Sequence, residues 1–410
     1  MDSVFREQSG RIIGASIQAV MPEEAVSRAL EQFLPGQGRV LLLAIGKAAY
    51  SMARAALEQV SVDEGYLITK YGHVKEPLPG IRCFEAGHPV PDQNGFAATR
   101  IVLEAFSDLR PEDVVLFLVS GGGSALFEDP LVSPEVLQSV TSQLLNCGAD
   151  IRQINTIRKR LSGVKGGKFA AHCAPAKIYS IILSDVVGDP LDMIASGPAV
   201  ADTSTCEEAL AIVEQYKLPF PNTVMELLHR ETPKECPNVT NKITGSLHLL
   251  CDAAQKEAEA LGYHVVRLGE ELTGIARETG VFLADEVRRS IASFRGPVAI
   301  IGGGETVVKV TGNGKGGRNQ EIALAACKGL DGLPACVFSV GTDGTDGPTD
   351  AAGGFVDGST YQKLRGMGID PEEVLDRNDS YNALSQVGGL IFTGPTGTNV
   401  NDLTVALIQP

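Results

Sequence analysis

The chain has no tryptophan, and aromatic side chains make up only 5% of its 410 residues. Single-stranded nucleic acid is gripped by stacking bases on aromatic rings, so this scarcity argues against such a ligand. Positive charge is also short: 35 Lys and Arg stand against 50 Asp and Glu, a formal charge of −15. Nucleic acid and anionic membrane surfaces repel a chain of this sign, and any anionic substrate needs a local basic pocket. Apolar runs are short as well. Residues 40–45 and 114–119 are strand-sized and far below the roughly 20 residues of a membrane helix. The opening Met1-Asp2-Ser3-Val4-Phe5-Arg6-Glu7 lacks the apolar core of an export signal, which makes the cytoplasm the expected compartment. Eight cysteines are scattered without Cys-x-x-Cys spacing, so no zinc ribbon or redox pair is written here. Oligomeric state is left open, a homo-oligomer included.

Glycine, by contrast, is abundant, with 46 residues, many of them in loops beside charged groups. Short β-rich runs at 40–45, 66–69, 81–85, 114–119 and 178–183 alternate with helical patterns at 48–59, 95–106, 134–145 and 207–216, which predicts a parallel α/β layer structure. Prolines 219, 221, 233 and 237 interrupt the alternation, and the expected boundary separates residues 1–237 from 238–410. A second α/β set follows, with strands expected at 247–251, 264–267, 298–301, 306–310 and 335–340. The last strands could return to the first domain.

Several loops carry anion or carboxylate chemistry. Lys47 follows a strand and opens a helix, a place that suits phosphate or carboxylate. Ser120-Gly121-Gly122-Gly123-Ser124 follows another strand, and its glycines permit the close backbone approach that a polyphosphate needs. It is not a Walker A loop. Asp185 and Asp189 lie at the carboxyl end of the 178–183 strand, where open α/β sheets place their ligands. Glu305 follows Gly302-Gly303-Gly304, and Arg318 opens a helix after a loop holding Lys315. Asp343, Asp346 and Asp350 supply hard oxygen ligands for a cation such as Mg2+, or else cap turns. The basic run Arg152, Arg158, Lys159, Arg160, Lys165 and Lys168 reads equally as an ATP collector or a solvated helix face. His88 reads as a hydrogen-bonded loop histidine. Gly312-Asn313-Gly314-Lys315-Gly316-Gly317 spells Gly-x-Gly-x-x-Gly between an expected strand and a helix. This keeps an NAD(P)-dependent hydroxypyruvate reductase as the alternative, with Asp343 as its ribose-binding acid.

The run from Gly302 through Gly316-Gly317-Arg318-Asn319-Gln320-Glu321 to Gly353 resembles the C-terminal region of the glycerate 2-kinases, also called class II glycerate kinases or MOFRL proteins. Further matches are Gly46-Lys47-Ala48-Ala49, Ala86-Gly87-His88-Pro89-Val90-Pro91-Asp92, Leu183-Ser184-Asp185-Val186-Val187-Gly188-Asp189, Ser196-Gly197-Pro198 and Thr393 to Asp402, spread over nearly the whole chain. The resemblance implies two Rossmann-like α/β/α layered domains with the active site in a cleft between them. It implies transfer of the γ-phosphoryl of ATP to the 2-hydroxyl of D-glycerate with Mg2+. Lys47, Asp189, Glu305 and Arg318 are then the expected catalytic residues. Ser120, Gly121, Gly122, Gly123, Ser124, Lys315 and Asp343 are expected at the nucleotide, and Asp343, Asp346 and Asp350 at the metal.

Overall fold

The structure is a computed structural model that describes residues 2–186 and 188–409. It divides into two compact units, one of residues 25–244 and one that joins the first 24 residues to 245–410.

The 25–244 unit is built on strands β1 (Val40–Ile45), β2 (Glu64–Lys70), β3 (Ile81–Ala86), β4 (Val114–Val119), β5 (Lys177–Leu183) and β6 (Val239–Gly245), ordered β3-β2-β1-β4-β5-β6. β1 pairs in parallel with both β2 and β4, and β2 with β3 and β4 with β5 likewise. Central strands of such a sheet are covered on both faces, which explains their unbroken apolar sequences. Alternate residues point to opposite sides. Leu41, Leu43, Ile45, Val115, Phe117 and Val119 enter one core, while Leu42, Ala44, Leu116 and Leu118 enter another.

In the second unit, β7 (His264–Gly269), β8 (Val298–Gly304), β9 (Ala335–Gly341), β10 (Gly353–Asp357), β11 (Leu390–Ile391) and β12 (Asp402–Ile408) are ordered β11-β10-β9-β12-β8-β7. β7 and β8 are parallel, whereas β12 lies antiparallel between β8 and β9, and β10 is antiparallel to β9 and β11. β7, β8, β9 and β11 therefore run one way and β10 and β12 the other. Helix Asp2–Ala19 packs in this unit, with Phe5, Ile12 and Ile13 in one core with Leu247, Leu250 and Phe338.

The division differs from the expected 237/238 boundary, for a physical reason. The proline-rich stretch is not a linker. Leu218, Phe220, Val224 and Leu227 pack against Leu137, Leu144, Ile154 and Ile157, and β6 completes the first sheet behind them. The last strand, β12, sits centrally in the sheet of its own unit. Two expected strands are absent. Residues 247–251 open helix Leu247–Ala260, N-capped by Ser246, because Leu247, Leu250, Cys251, Ala254 and Ala258 share a helical face. Residues 306–310 contribute only an isolated bridge from Val307 to Ile275. Val307 and Val310 are 59% and 75% exposed, so no sheet face buries them.

Candidate active site

The strand order β3-β2-β1-β4-β5-β6 has its topological switch between β1 and β4, the place where open α/β sheets leave a crevice for ligands. Lys47 stands after β1, and the Ser120 to Ser124 turn stands after β4. Gly46 joins them: at φ +109° its Cα faces Ser120, and any Cβ there would collide with Ser120. Lys47 N–H donates to Gly121 O at 2.8 Å. Its half-buried ammonium has no ion-pair or hydrogen-bond partner among the described residues. A cation left without an internal counter-charge, in a chain this acidic, is available to an anionic ligand.

The two serines of the turn behave differently from the glycines. Ser120 Oγ donates to Ile45 O (3.1 Å) and accepts from Ala48 N–H (3.0 Å), and the residue is 3% exposed, so it braces the turn. Ser196 Oγ donates to Asn155 Oδ1 at 3.0 Å. The 2.8 Å contact between Ser124 and Ser196 therefore carries the Ser124 proton, which leaves Ser124 without a hydroxyl hydrogen for a phosphate. Gly122, at φ +86°, lies against His88 and Lys47, and Gly121 lies against Asp185, which a Cβ would strike. Beyond Asp185, three non-glycine residues, Asp189 (φ +51°), Ala195 (φ +50°) and Ser196 (φ +61°), hold left-handed backbone. Such conformations are costly and gather at functional sites.

Half of the basic run is internal, while Arg152 stays exposed. Lys159, Arg160 and Lys165 are buried. Lys159 Nζ lies 3.1 Å from both Asp192 and Asp202, and Lys165 Nζ lies 3.0 Å from Glu128. Burial pushes the Lys165 ammonium down to about 8. A cavity of about 460 Å³ beside this network is lined by Lys159, Asp192, Met193 and Ser204 and includes neither Lys47 nor the glycine turn.

In the other unit, Arg318 heads the helix Arg318–Ala326. Asp402, the first residue of β12, takes its guanidinium in two bonds, Nε to Oδ2 at 2.5 Å and Nη2 to Oδ1 at 3.0 Å. Glu305, half exposed at the end of β8, lies 3.0 Å from Nη1. Burial works against the Arg318 charge, but the bonds to Asp402 and the fields of Asp402 and Glu305 outweigh it and raise its pKa. Burial raises the Asp402 carboxyl, with Arg318 opposing. Glu305 and Arg318 border a cavity of about 620 Å³ whose wall includes Val307, Val308 and Val310 and whose lining includes Asp346 and Glu321. Glu321 is buried, and that burial raises its pKa; Asn378 Nδ2 donates to it at 3.4 Å.

The three aspartates expected at a metal are held apart in separate tasks. Asp346 accepts from the N–H groups of Asn319 (3.1 Å) and Gln320 (2.8 Å), capping the helix that Arg318 opens. Burial pushes its carboxyl up to about 6 against the pull of those two amides. Asp343 closes its own turn by accepting from Thr345 N–H at 2.9 Å, and Asp350 accepts from Tyr381 OH at 2.7 Å. Among the described residues no three His, Cys, Asp or Glu side chains form a metal-binding group. As a three-carboxylate cage, that set does not fit Mg2+.

The Gly-x-Gly-x-x-Gly run is equally specific in its packing. No strand leads directly into it: β8 ends at Gly304, eight residues earlier. Gly314 N–H donates to Arg377 O (2.9 Å), Lys315 N–H to Asp379 Oδ1 (2.9 Å) and Gly312 N–H to Asn378 Oδ1 (2.8 Å). A Cβ on Gly312 or Gly314 would stand 2.5 Å from Arg377 O. Three amides of the run are thus bound to the chain itself and not turned toward a pyrophosphate. The Lys315 ammonium rests 3.8 Å over the Tyr381 ring.

Comparison with known proteins follows the same two regions. The MOFRL family model matches residues 298–402, and a model described as a domain of unknown function (DUF4147) matches residues 8–229. The D-glycerate 2-kinase of Thermotoga maritima is 50% identical over 405 residues, covering 97% of each chain. The chain belongs to the glycerate 2-kinase (MOFRL) family. A glycerate 2-kinase of Pyrococcus horikoshii is 44% identical over 98% of this chain and 97% of its own. The crystal structure of a glycerate kinase from T. maritima, 48% identical, superposes with a TM-score of 0.95 over 99% of this chain and all of the other. Two more distant relatives from Agrobacterium vitis, 39% and 37% identical, carry a provisional hydroxypyruvate reductase name.

For this family member the structure groups Lys47 with Gly121, Gly122 and Gly123 in one unit, and Glu305 with Arg318 in the other. Asp189 is partly buried six residues beyond the end of β5 and bends its chain in a left-handed conformation. Asp402, Glu321 and the unbonded state of His88 were not visible as site features. Asp402 and Glu321 stand inside family motifs, but only pairing across β12 and burial in the cavity give them a task.

Proposed function

We propose that the chain is an ATP-dependent D-glycerate 2-kinase, giving 2-phosphoglycerate and ADP. The observation that carries this reading is the unpaired Lys47 ammonium at the switch point of a 3-2-1-4-5-6 sheet, beside a three-glycine turn. The family relationship supplies the acceptor. In the reaction the 2-hydroxyl oxygen of glycerate bonds to the γ-phosphorus as the β,γ-bridging bond breaks and ADP leaves, and the hydroxyl proton passes to a carboxylate. Asp189 is assigned that proton. Lys47 offsets charge on the phosphoryl oxygens. Arg318, gripped from behind by Asp402, offers its Nη1 edge, shared with Glu305, to an anion. Gly121, Gly122 and Gly123 allow close approach of phosphate, while Ser120 and Ser124 hold the turn. Lys315 and Asp343 are assigned to the rim of the nucleotide site.

Mg2+ is assigned as part of the nucleotide substrate, since Mg2+ commonly enters such sites on phosphates with one or two protein carboxylates. It supplies charge neutralisation on the transferred group. The enzyme is read as cytoplasmic; among the described residues no helix is long and apolar enough to cross a membrane.

The test is incubation with ATP, Mg2+ and D-glycerate followed by enolase without a mutase, which consumes a 2-phosphorylated product directly. Chelation should abolish turnover, and Mg2+ should restore it. Failure to form an enolase substrate, with NADH oxidised in the presence of hydroxypyruvate, would favour the reductase reading.

A further inference from the structure

His88 follows β3 and Gly87, and its sequence context suggests a loop histidine held by hydrogen bonds. The structure shows otherwise. Neither ring nitrogen makes a hydrogen bond to any described residue, although the side chain is half-buried. The ring lies over the glycine turn: a Cβ on Gly122 would be 3.0 Å from both Cδ2 and Nε2 and 3.3 Å from Cγ of Lys47.

Asp185 lies against Gly121 and Asp92 against Gly87, but the groups that bear most on the ring disfavour its charged form. Those groups are Lys47, Lys70 and His73. The two ammonium groups have no ion-pair partner among the described residues. His73 is anchored through Nδ1 to Lys47 O at 3.1 Å. Burial first, and then these neighbours, lower the pKa of His88, so its imidazole is neutral near pH 7. A neutral imidazole carries one N–H donor and one acceptor. A polar group left unsatisfied in a partly buried place costs free energy unless a ligand or water completes it.

We infer that His88 is a substrate-contacting residue, donating a ring N–H to an anionic oxygen of the substrate that Lys47 and Lys70 attract to the glycine turn. This rests on the kinase reading above. The oxygen belongs either to the glycerate carboxylate or to the terminal phosphate of ATP, and the anion also supplies the counter-charge that this cluster lacks.

The experiment compares His88→Ala and His88→Gln with the unmodified enzyme, varying glycerate and ATP separately. Each protein is also heated with each substrate alone. The unmodified enzyme is the control for the kinase reading: if it does not phosphorylate glycerate, that reading fails whatever His88 does. If it does, His88→Ala should raise the KM of one substrate about tenfold, as loss of one hydrogen bond to a charged group does. The other KM should stay within about twofold. A selective rise for glycerate assigns the carboxylate, and one for ATP assigns the phosphate. His88→Gln, which keeps an N–H, should recover most of the loss, and the thermal shift given by the affected substrate alone should shrink in His88→Ala and return in His88→Gln. The inference is overturned if His88→Ala leaves both KM values and both thermal shifts unchanged. It is also overturned if the alanine and glutamine variants lose activity equally and in step with a fall in Tm. Should His88→Ala fail to fold, His88→Leu, which keeps bulk but carries no N–H, takes its place: a thermal shift lost in folded His88→Leu and kept in His88→Gln supports the contact, and an unaltered shift in His88→Leu refutes it.

Discussion

Asp402→Asn is the sharpest perturbation, because it keeps the size of the side chain and removes the carboxylate charge that Arg318 grips. The Asp402 side chain is 4% exposed and that of Arg318 is 33% exposed. Asparagine keeps one acceptor oxygen, but its amide N–H groups would face the guanidinium, and the charge is gone. Breaking a buried ion pair from one side typically costs ~3–5 kcal/mol. Arg318 keeps Glu305 at 3.0 Å and some contact with solvent, so a loss at or just below that range, about 2–3 kcal/mol, is expected. For a unit of this size that is a fall of roughly 4–12 °C in Tm. The kinetic effect is larger than the stability loss alone implies. A guanidinium freed to swing by about 1 Å loses its alignment with phosphate, and kcat/KM should drop ~10–100-fold. Asp402 acts through Arg318 in this account, so the double variant Arg318→Ala, Asp402→Asn should be no slower than Arg318→Ala alone. The assay is a double-mutant cycle on kcat/KM in the enolase-coupled reaction, run well below each Tm. Multiplying losses in the double variant would refute the account, and so would Asp402→Asn with near-normal kcat/KM.

Three further outcomes are expected. Lys47→Ala should lower turnover by about a hundredfold or more with an unchanged circular dichroism spectrum; near-normal turnover would remove Lys47 from the site. Asp346 has a folded pKa of about 6 against an ordinary 3.8, so its protonated form fits the fold better. That stability is complete below the ordinary value and lost as pH rises through 6, a loss of about 3 kcal/mol by neutral pH. Urea unfolding of Asp346→Asn should accordingly show a flatter pH dependence between pH 4 and 7, and an unchanged slope would contradict the assignment. Gly314→Ala should lose about 1–3 kcal/mol of stability, since its Cβ meets backbone at 2.5 Å, and NADH should protect neither form from heat, whereas ATP should protect the parent.

The first sheet was legible because burial on both faces writes itself into sequence. Val40–Ile45 and Val114–Val119 are apolar at every position, and only a central strand of a parallel sheet has that need over so short a length. The second unit was less so, for reasons seen residue by residue. Leu247 to Cys251 looks like a strand until the window reaches Ala254 and Ala258, whose burial gives the period away. β6 has the polar sequence VTNKITG, since an edge strand needs little apolar surface, and it vanished among prolines. The N-terminal helix belongs with residues 245–410, a long-range choice that no local pattern records.

Glycine motifs show why the site was only half legible. A glycine can be required by a ligand that approaches the backbone or by a neighbouring stretch of the same chain, and the letter is identical in both cases. At Gly122 the space that a Cβ would fill is bounded by His88 and Lys47, both with polar groups left unbonded, so the residue faces chemistry. At Gly312 and Gly314 that space is filled by the backbone of Arg377, and at Gly317 by Asp346. The amides there are held by Arg377, Asn378 and Asp379. Those three side-chain and backbone acceptors lie more than sixty residues downstream, beyond the reach of any motif window. The Gly-x-Gly-x-x-Gly spelling therefore records how tightly residues 312–317 pack on 377–380. A dinucleotide would have to break those bonds to bind there, which is why a test with NADH separates the spelling from the chemistry.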